Sequence, residues 1–153
     1  MSATTLVTGL VGCINDHRLL DLAGWYAPGA TVHPAGWPEP VDVTAWMAAF
    51  GSMLESFPDL TVRPTSVASG DGVVVLEATL VGTNSGPFHL GDVDRLILGT
   101  DADRLPPTGR IMDITGVVVF EATGHEVTRE RHYWPVADTL VQLGLVTAAA
   151  APA

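Results

Sequence analysis

Residues 110–134 read RIMDITGVVVFEATGHEVTRERHYW, and this stretch decides the fold. Its first half is rich in β-branched apolar residues, which is typical of a long strand and predicts one over 110–122. Thr123 and Gly124 then form a turn signal, and a second strand is predicted over 127–134. The two strands are expected to form an antiparallel hairpin whose side chains alternate between two faces.

The rest of the chain places helices before strands. Helices are predicted over 6–14, 22–26 and 44–56, and apolar residues at helical spacing make the third the clearest. Strands over 60–67 and 73–82 precede the hairpin. Residues 83–109 form a long Gly-, Pro- and Asp-rich segment with an ordered piece over 93–98, and a short helix over 136–143 ends at Gly144. Helices followed by an antiparallel meander predict an α+β fold.

Composition excludes several classes of function. Seventeen acidic residues face seven basic ones, all arginine, which gives a formal net charge of −10. Nucleic-acid binding and membrane-surface binding are disfavoured, because both need a basic surface. The absence of lysine excludes a Schiff-base mechanism. With 47% hydrophobic residues, one folded domain is predicted over 1–146, followed by a disordered tail over 147–153.

Signals for membranes, disulfides and metals are weak. No apolar run reaches about 18 residues, and the apolar stretch 6–14 lacks the basic flank of a signal peptide, so a cytoplasmic protein is expected. A single cysteine, Cys13, cannot form an internal disulfide. The aspartates over 92–103 lack the spacing of a calcium loop, and the histidines lack a zinc-binding pattern. No metal and no nucleotide cofactor are expected.

Several short motifs in order resemble a known family. They are LAGWYAPGATVHP (22–34), GTNSG (82–86) with PTGR (107–110), GVVVF (116–120), RHYW (131–134) and QLGL (142–145). Together they resemble the SnoaL-like polyketide cyclases of the nuclear transport factor 2-like superfamily. The resemblance implies a cone-shaped α+β barrel, in which a curved antiparallel sheet wraps around N-terminal helices and an internal apolar pocket. It also implies a homodimer, an apolar small-molecule substrate, no cofactor, and acid–base chemistry that closes a ring by an intramolecular aldol reaction.

The sequence departs from the family at two positions. Members often carry Asp where this chain has Pro135, and a different residue where it has Glu77. If that Asp is the family's acid or base, this chain needs another arrangement or has lost the activity.

Four residues are candidates for catalysis. Pairing Phe120 with Val127 places Asp113 on one face with Glu130 and His132. Related epoxide hydrolases keep an inward Asp at the position of His132, so this face is predicted to line the pocket. Glu130 would then support His132 as general base, with Glu77 or Asp113 as the partner acid. In the alternative, the polar strand 129–132 and Glu77 face solvent.

A larger set is expected to contact substrate. Tyr26 and His33 are predicted to steady an enolate oxygen, and Trp37, in a Pro-rich loop, to act as a lid or partner contact. The predicted set is Tyr26, His33, Trp37, Phe50, Met53, Leu54, Phe57, Thr79 and Trp134.

Two other functions stay open at this stage. The fold also hosts epoxide hydrolases, dehydratases and isomerases, in which an inward carboxylate activates water. It hosts non-catalytic binding and dimerisation modules as well, and Pro135 favours that alternative.

Overall fold

The computed structural model describes residues 2–147, so the predicted tail lies outside the described residues except for Thr147. Within that range the chain forms helices and strands in an α+β arrangement, as predicted. The helices are α1 (Ala3–Asn15), α2 (Leu19–Ala23), α3 (Val43–Ser56), α4 (Asp92–Leu98) and α5 (Val136–Gln142). The strands are β1 (Tyr26–His33), β2 (Val41–Asp42), β3 (Thr61–Gly70), β4 (Val73–Thr83), β5 (Phe88–His89), β6 (Arg104–Leu105), β7 (Ile111–Thr123) and β8 (Glu126–Tyr133).

One large sheet organises the molecule. Its six strands lie in the order β2-β1-β8-β7-β4-β3, and β5 pairs with β6 in a separate ribbon. β1 runs parallel to β8, whereas the other pairs are antiparallel. The sheet is therefore mixed rather than wholly antiparallel. It stays open between β2 and β3, so the predicted closure into a barrel is wrong.

The core lies between the inner face of this sheet and the helices. Alternate residues of β4 and β7 are buried, as period-two strands with one covered face require. Helix α3 agrees with the predicted 44–56, and the Asp42 carboxylate caps it by accepting the Ala45 N–H at 2.8 Å. No helix in the described part of the chain is long and apolar enough to cross a membrane.

Tyr26 lies in a strand, not in the predicted helix over 22–26. Helix α2 ends at Ala23, and Tyr26 begins β1 opposite Val127 of β8. Pairing with the distant strand β8 outweighs the local helical pattern. As a result, the Tyr26 side chain lies in the core.

The register of the hairpin also differs from the prediction. Phe120 pairs with Glu130, and Ala122 pairs with Val127, because the register shifts between Glu121 and Ala122. A bulge of this kind changes which residues of one strand face inward. The even-numbered residues of β7 are therefore buried, and the predicted inward face of β7 points outward.

The segment between β4 and β7 is tied at its base by Asn84, which is fully buried. Its Nδ2 donates to the carbonyls of Ser56 and Gly86, at 3.1 and 3.0 Å. Its Oδ1 accepts from the backbone N–H of Thr108 at 2.8 Å and from the Thr108 hydroxyl at 3.0 Å. The segment between β4 and β7, called the excursion below, carries β5, α4 and β6. The Asn84 side chain thus holds both of its ends.

Candidate active site

A cavity of about 640 Å³ lies between α1, α3, the inner face of the sheet and the excursion after β4. Most of its wall is apolar, supplied by residues such as Leu10, Phe50, Leu76 and Val118. A volume of this size accommodates a small organic molecule. The polar groups that reach the wall decide what chemistry is available there.

Glu130 is the most unusual of these groups. It is 4% exposed, and it is the one charged side chain among the described residues that is buried to this degree. A buried carboxylate is costly unless hydrogen bonds compensate it. Tyr26 donates its hydroxyl hydrogen to Oε2, and Nε2 of His132 lies 2.5 Å from Oε1. Both carboxylate oxygens therefore have partners inside the protein.

The contacts of His132 fix its protonation. Nε1 of Trp134 lies 3.3 Å from Nδ1 of His132, and an indole N–H can only donate. Nδ1 is therefore the acceptor and carries no proton, while Nε2 carries the proton and donates to Glu130. The edge-on ring of Trp46, with centroids 4.8 Å apart, packs against the imidazole. His132 borders the cavity, and its contacts leave Nδ1 as the acceptor of the Trp134 N–H.

Tyr26 is held in its protonated form. Burial raises its pKa well above the usual range, and the negative charge of Glu130 and the hydrogen bond to Glu130 act in the same direction. A hydrogen bond from Trp46 opposes this weakly. The hydroxyl hydrogen is donated to Glu130 in this structure, and the predicted role of Tyr26 as a donor to an enolate oxygen stays a prediction.

Trp134 is positioned by a glycine of the adjacent strand β7 and by the residue that follows it in the chain. A Cβ on Gly116 would lie 2.3 Å from Cε3 of Trp134, so the indole rests directly on the glycine. Pro135 follows Trp134 and restricts its backbone to extended conformations. The residue that replaces the family Asp thus helps to fix the donor to His132.

Three predicted site residues lie on the outer face of the sheet, and their prediction as pocket residues is wrong. Glu77 is exposed, and its Oε1 accepts from the Thr65 hydroxyl at 2.8 Å. Asp113 is exposed on the outer face of β7. Thr79 points outward, with its hydroxyl 3.3 Å from that of Thr115. Their inward neighbours are apolar, which avoids burying carboxylates without partners.

The remaining predicted contacts divide into two groups. His33 does not line the main cavity: its Nε2 lies 2.8 Å from the carbonyl oxygen of Trp37, and it borders a smaller pocket of about 220 Å³. Leu54 packs against the core without reaching the cavity. The predicted residues on the cavity wall are Tyr26, Trp37, Phe50, Met53, Phe57, Glu130, His132 and Trp134.

The excursion after β4 contributes residues to the cavity wall that the sequence analysis did not predict. His89 pairs with Glu55 at 2.8 Å, and Arg95 pairs with Asp103 at 3.1 Å. Burial raises the pKa of Asp94, although the N–H of Gly91 acts against this. Among residues 2–147, no three His, Cys, Asp or Glu side chains converge in a way that would hold a metal ion.

Comparison with known proteins agrees with this architecture. AclR, a proposed hydroxylase from Streptomyces galilaeus, superposes with a TM-score of 0.76 at 18% identity, over 97% of this chain and 84% of that chain. IdmH, a proposed polyketide cyclase from Streptomyces antibioticus, gives 0.75 at 20% identity, over 94% and 99%. A Catenulispora acidiphila protein of ketosteroid isomerase-like fold, in complex with trimethylamine, gives 0.68 at 15%, over 92% and 93%.

These structural likenesses establish the fold. No curated protein matches the sequence significantly. The model of the SnoaL-like domain matches residues 7–130, which is most of the chain, and the ketosteroid isomerase-like fold agrees with that match. The chain therefore belongs to the SnoaL-like family.

Proposed function

We propose that the protein is a cofactor-independent enzyme that removes a carbon-bound proton beside a carbonyl group of an apolar small molecule and closes a ring by intramolecular aldol addition. The observation that carries this proposal is the Glu130–His132 pair on the wall of an apolar cavity, in which Nε2 faces Glu130 and Nδ1 is left as an acceptor. A base whose orientation is fixed by a buried carboxylate is the usual device for proton transfer in an active site.

The first step is proton removal. The lone pair of His132 Nδ1 forms the new N–H bond, the C–H bond breaks, and its electron pair moves to give the enolate. The other ring proton stays on Nε2 and donates to Oε1 of Glu130, whose negative charge stabilises the imidazolium that forms. Positioned general base catalysis of this kind contributes about 10²–10⁴-fold in rate.

The second step is ring closure. The enolate carbon attacks another carbonyl of the same molecule, a carbon–carbon bond forms, and the new alkoxide takes the proton back from His132 Nδ1. No atom or electron is left over, so the site returns to its starting state. The apolar cavity supports this step because it excludes water and holds the flexible substrate folded.

A second candidate is a hydrolase or dehydratase in which His132 activates water. The observation that favours it is the smaller pocket, which His132 also borders together with His33 and Arg131. Water in that pocket would lie next to the base. A purely binding module accounts less well for the site, because binding an apolar molecule does not require a carboxylate-oriented histidine on the cavity wall.

The two candidates predict different products from simple probes. We expect wild-type protein in D₂O to catalyse saturable deuteration of 2-tetralone at its α-carbons, measured by mass spectrometry. The same protein with styrene oxide in ¹⁸O-water should give no labelled diol above the buffer rate. Labelled diol without tetralone deuteration would favour the water-activating candidate, and neither reaction would favour a binding module.

Two expectations stay predictions, the first from the family resemblance and the second from the sequence. A homodimer would use the outer face of the sheet, where Val75, Val117 and Val119 are half-buried beside the charged Glu121 and Arg131. The second is the cytoplasmic location, and the acidic composition that disfavours nucleic acid and membrane surfaces as partners is compatible with it.

A further inference from the structure

We propose that the indole N–H of Trp134 is the catalytic hydrogen-bond donor to the enolate oxygen that forms when His132 removes the substrate proton. This inference rests on the proposed function and adds a residue to its mechanism. It starts from the contact between Nε1 of Trp134 and Nδ1 of His132, which at 3.3 Å is a long hydrogen bond to the atom that must act as base.

Most other donors on the cavity wall are already engaged. The hydroxyl of Tyr26 donates to Glu130, and the hydroxyl of Ser56 donates to the carbonyl of Pro87 at 2.8 Å. The guanidinium of Arg95 is shared between two aspartates. The N–H of Trp134 differs, because its acceptor is the base itself, which becomes protonated in the first step.

Proton transfer forces Trp134 to change partner. When His132 Nδ1 takes a proton it becomes a donor, and two N–H groups then face each other. The indole N–H loses its acceptor at the moment when the substrate oxygen gains negative charge. Transfer of the hydrogen bond from His132 to that oxygen keeps every donor paired and places the donor where charge develops.

The spacing of the two atoms suits an enolisable ketone. In such a group the α-carbon and the carbonyl oxygen are bonded to the same carbon, so the departing hydrogen and the oxygen lie side by side. When the α-C–H takes the place of the indole N–H at Nδ1, the indole nitrogen, 3.3 Å from Nδ1, is close enough to donate to the neighbouring carbonyl oxygen.

The indole is also held in advance, as an oxyanion donor should be. Gly116 leaves just enough room for the ring, and a Cβ there would come within 2.3 Å of it. Pro135 limits the backbone of Trp134 to extended conformations. The indole ring can therefore stay in place while its N–H exchanges Nδ1 of His132 for the substrate oxygen.

The binding test uses 2-naphthol, which has the shape and oxygen position of the 2-tetralone enol, and 2-methylnaphthalene, which lacks the oxygen. Trp134→Phe keeps an aromatic ring and removes the N–H. We expect it to weaken 2-naphthol binding about tenfold, the value of one hydrogen bond, and to leave 2-methylnaphthalene binding unchanged. Trp25→Phe is the matched control, since Trp25 packs against Gly9 and does not line the cavity.

The kinetic test uses the tetralone exchange reaction. Trp134→Phe should lower kcat about 10²–10³-fold with little change in KM, which is the effect of removing one oxyanion donor. Gly116→Ala keeps the N–H but displaces the ring, and it should lower kcat in the same direction. Thermal unfolding of both variants is measured to check that they are folded.

The outcomes separate this inference from the proposed function. Equal loss of 2-naphthol and 2-methylnaphthalene binding would show that Trp134 only shapes the cavity, and would overturn the inference. Wild-type exchange rates in Trp134→Phe would overturn it as well, while the proposed function stands. If wild-type protein does not catalyse exchange at all, the proposed function fails, and the naphthol comparison still decides whether Trp134 binds an oxygen.

Discussion

Replacing His132 with Gln is expected to lower kcat for tetralone exchange by about 10²–10⁴-fold, the contribution of a positioned general base. The glutamine amide can still donate to Glu130, which needs that partner because it is 4% exposed. The loss would therefore report proton acceptance at Nδ1 rather than collapse of the buried pair. The rate is measured from deuterium incorporation at saturating tetralone.

A matched control is available in the same strand pair. His125 is exposed in the turn between β7 and β8, and His125→Gln should retain the wild-type rate. Glu130→Gln should also reduce kcat, because the imidazolium loses its charged partner, and the double variant should be no slower than the slower single variant. A wild-type rate in His132→Gln, with the variant folded, would remove His132 from the mechanism.

Replacing Asn84 with Ala is expected to lower the free energy of unfolding by about 2–5 kcal/mol, because several buried backbone groups lose their partners and each costs about 1–3 kcal/mol. Those groups include the carbonyl of Ser56 and the N–H of Thr108. The excursion that forms one wall of the cavity should also open more often, which amide hydrogen exchange of α4 would detect. Urea unfolding measures the stability.

Asn15 offers the comparison for Asn84. It also bridges a backbone N–H and a carbonyl, both of Val62, but the Asn15 residue is exposed. Water can replace its side chain, so Asn15→Ala should cost only about 0.5–1.5 kcal/mol. An equal loss in the two variants would mean that burial of Asn84 is not what makes it important.

The sequence was informative where one local pattern dominated. Apolar residues at helical spacing predicted α3, and the β-branched run predicted β4, because each element buries one continuous face. The i, i+2 spacing of Glu130 and His132 also predicted that the two side chains share a face of β8. Strand geometry alone is enough for that inference.

The errors arose where distant parts of the chain decide the structure. A register shift between Glu121 and Ala122 places Asp113 on the outer face of the sheet, and no pattern in the sequence predicts this shift. Tyr26 and Glu130 are 104 positions apart, so their hydrogen bond depends on the parallel pairing of β1 with β8. Local propensity cannot detect such a contact, which is why Tyr26 was expected in a helix.

Pro135 is a further residue whose role became clear only in the structure. From the sequence, a proline in place of the family Asp argued against the usual mechanism. In the structure Pro135 directly follows Trp134 and restricts its backbone, which helps to hold the indole N–H that donates to His132. In the mechanism that we propose, the acid–base pair is formed within β8 instead, by Glu130 and His132.

The central claim is that His132 presents an unprotonated Nδ1 to the cavity while Glu130 holds the proton on Nε2. Nitrogen-15 NMR of histidine-labelled protein tests it directly, because a ring nitrogen without a proton resonates far downfield of one with a proton. The His132 signals are identified by their loss in His132→Gln. We predict a downfield Nδ1 and an upfield Nε2 in the ligand-free protein at neutral pH. A proton on Nδ1, in either the other neutral tautomer or the imidazolium, would contradict the account.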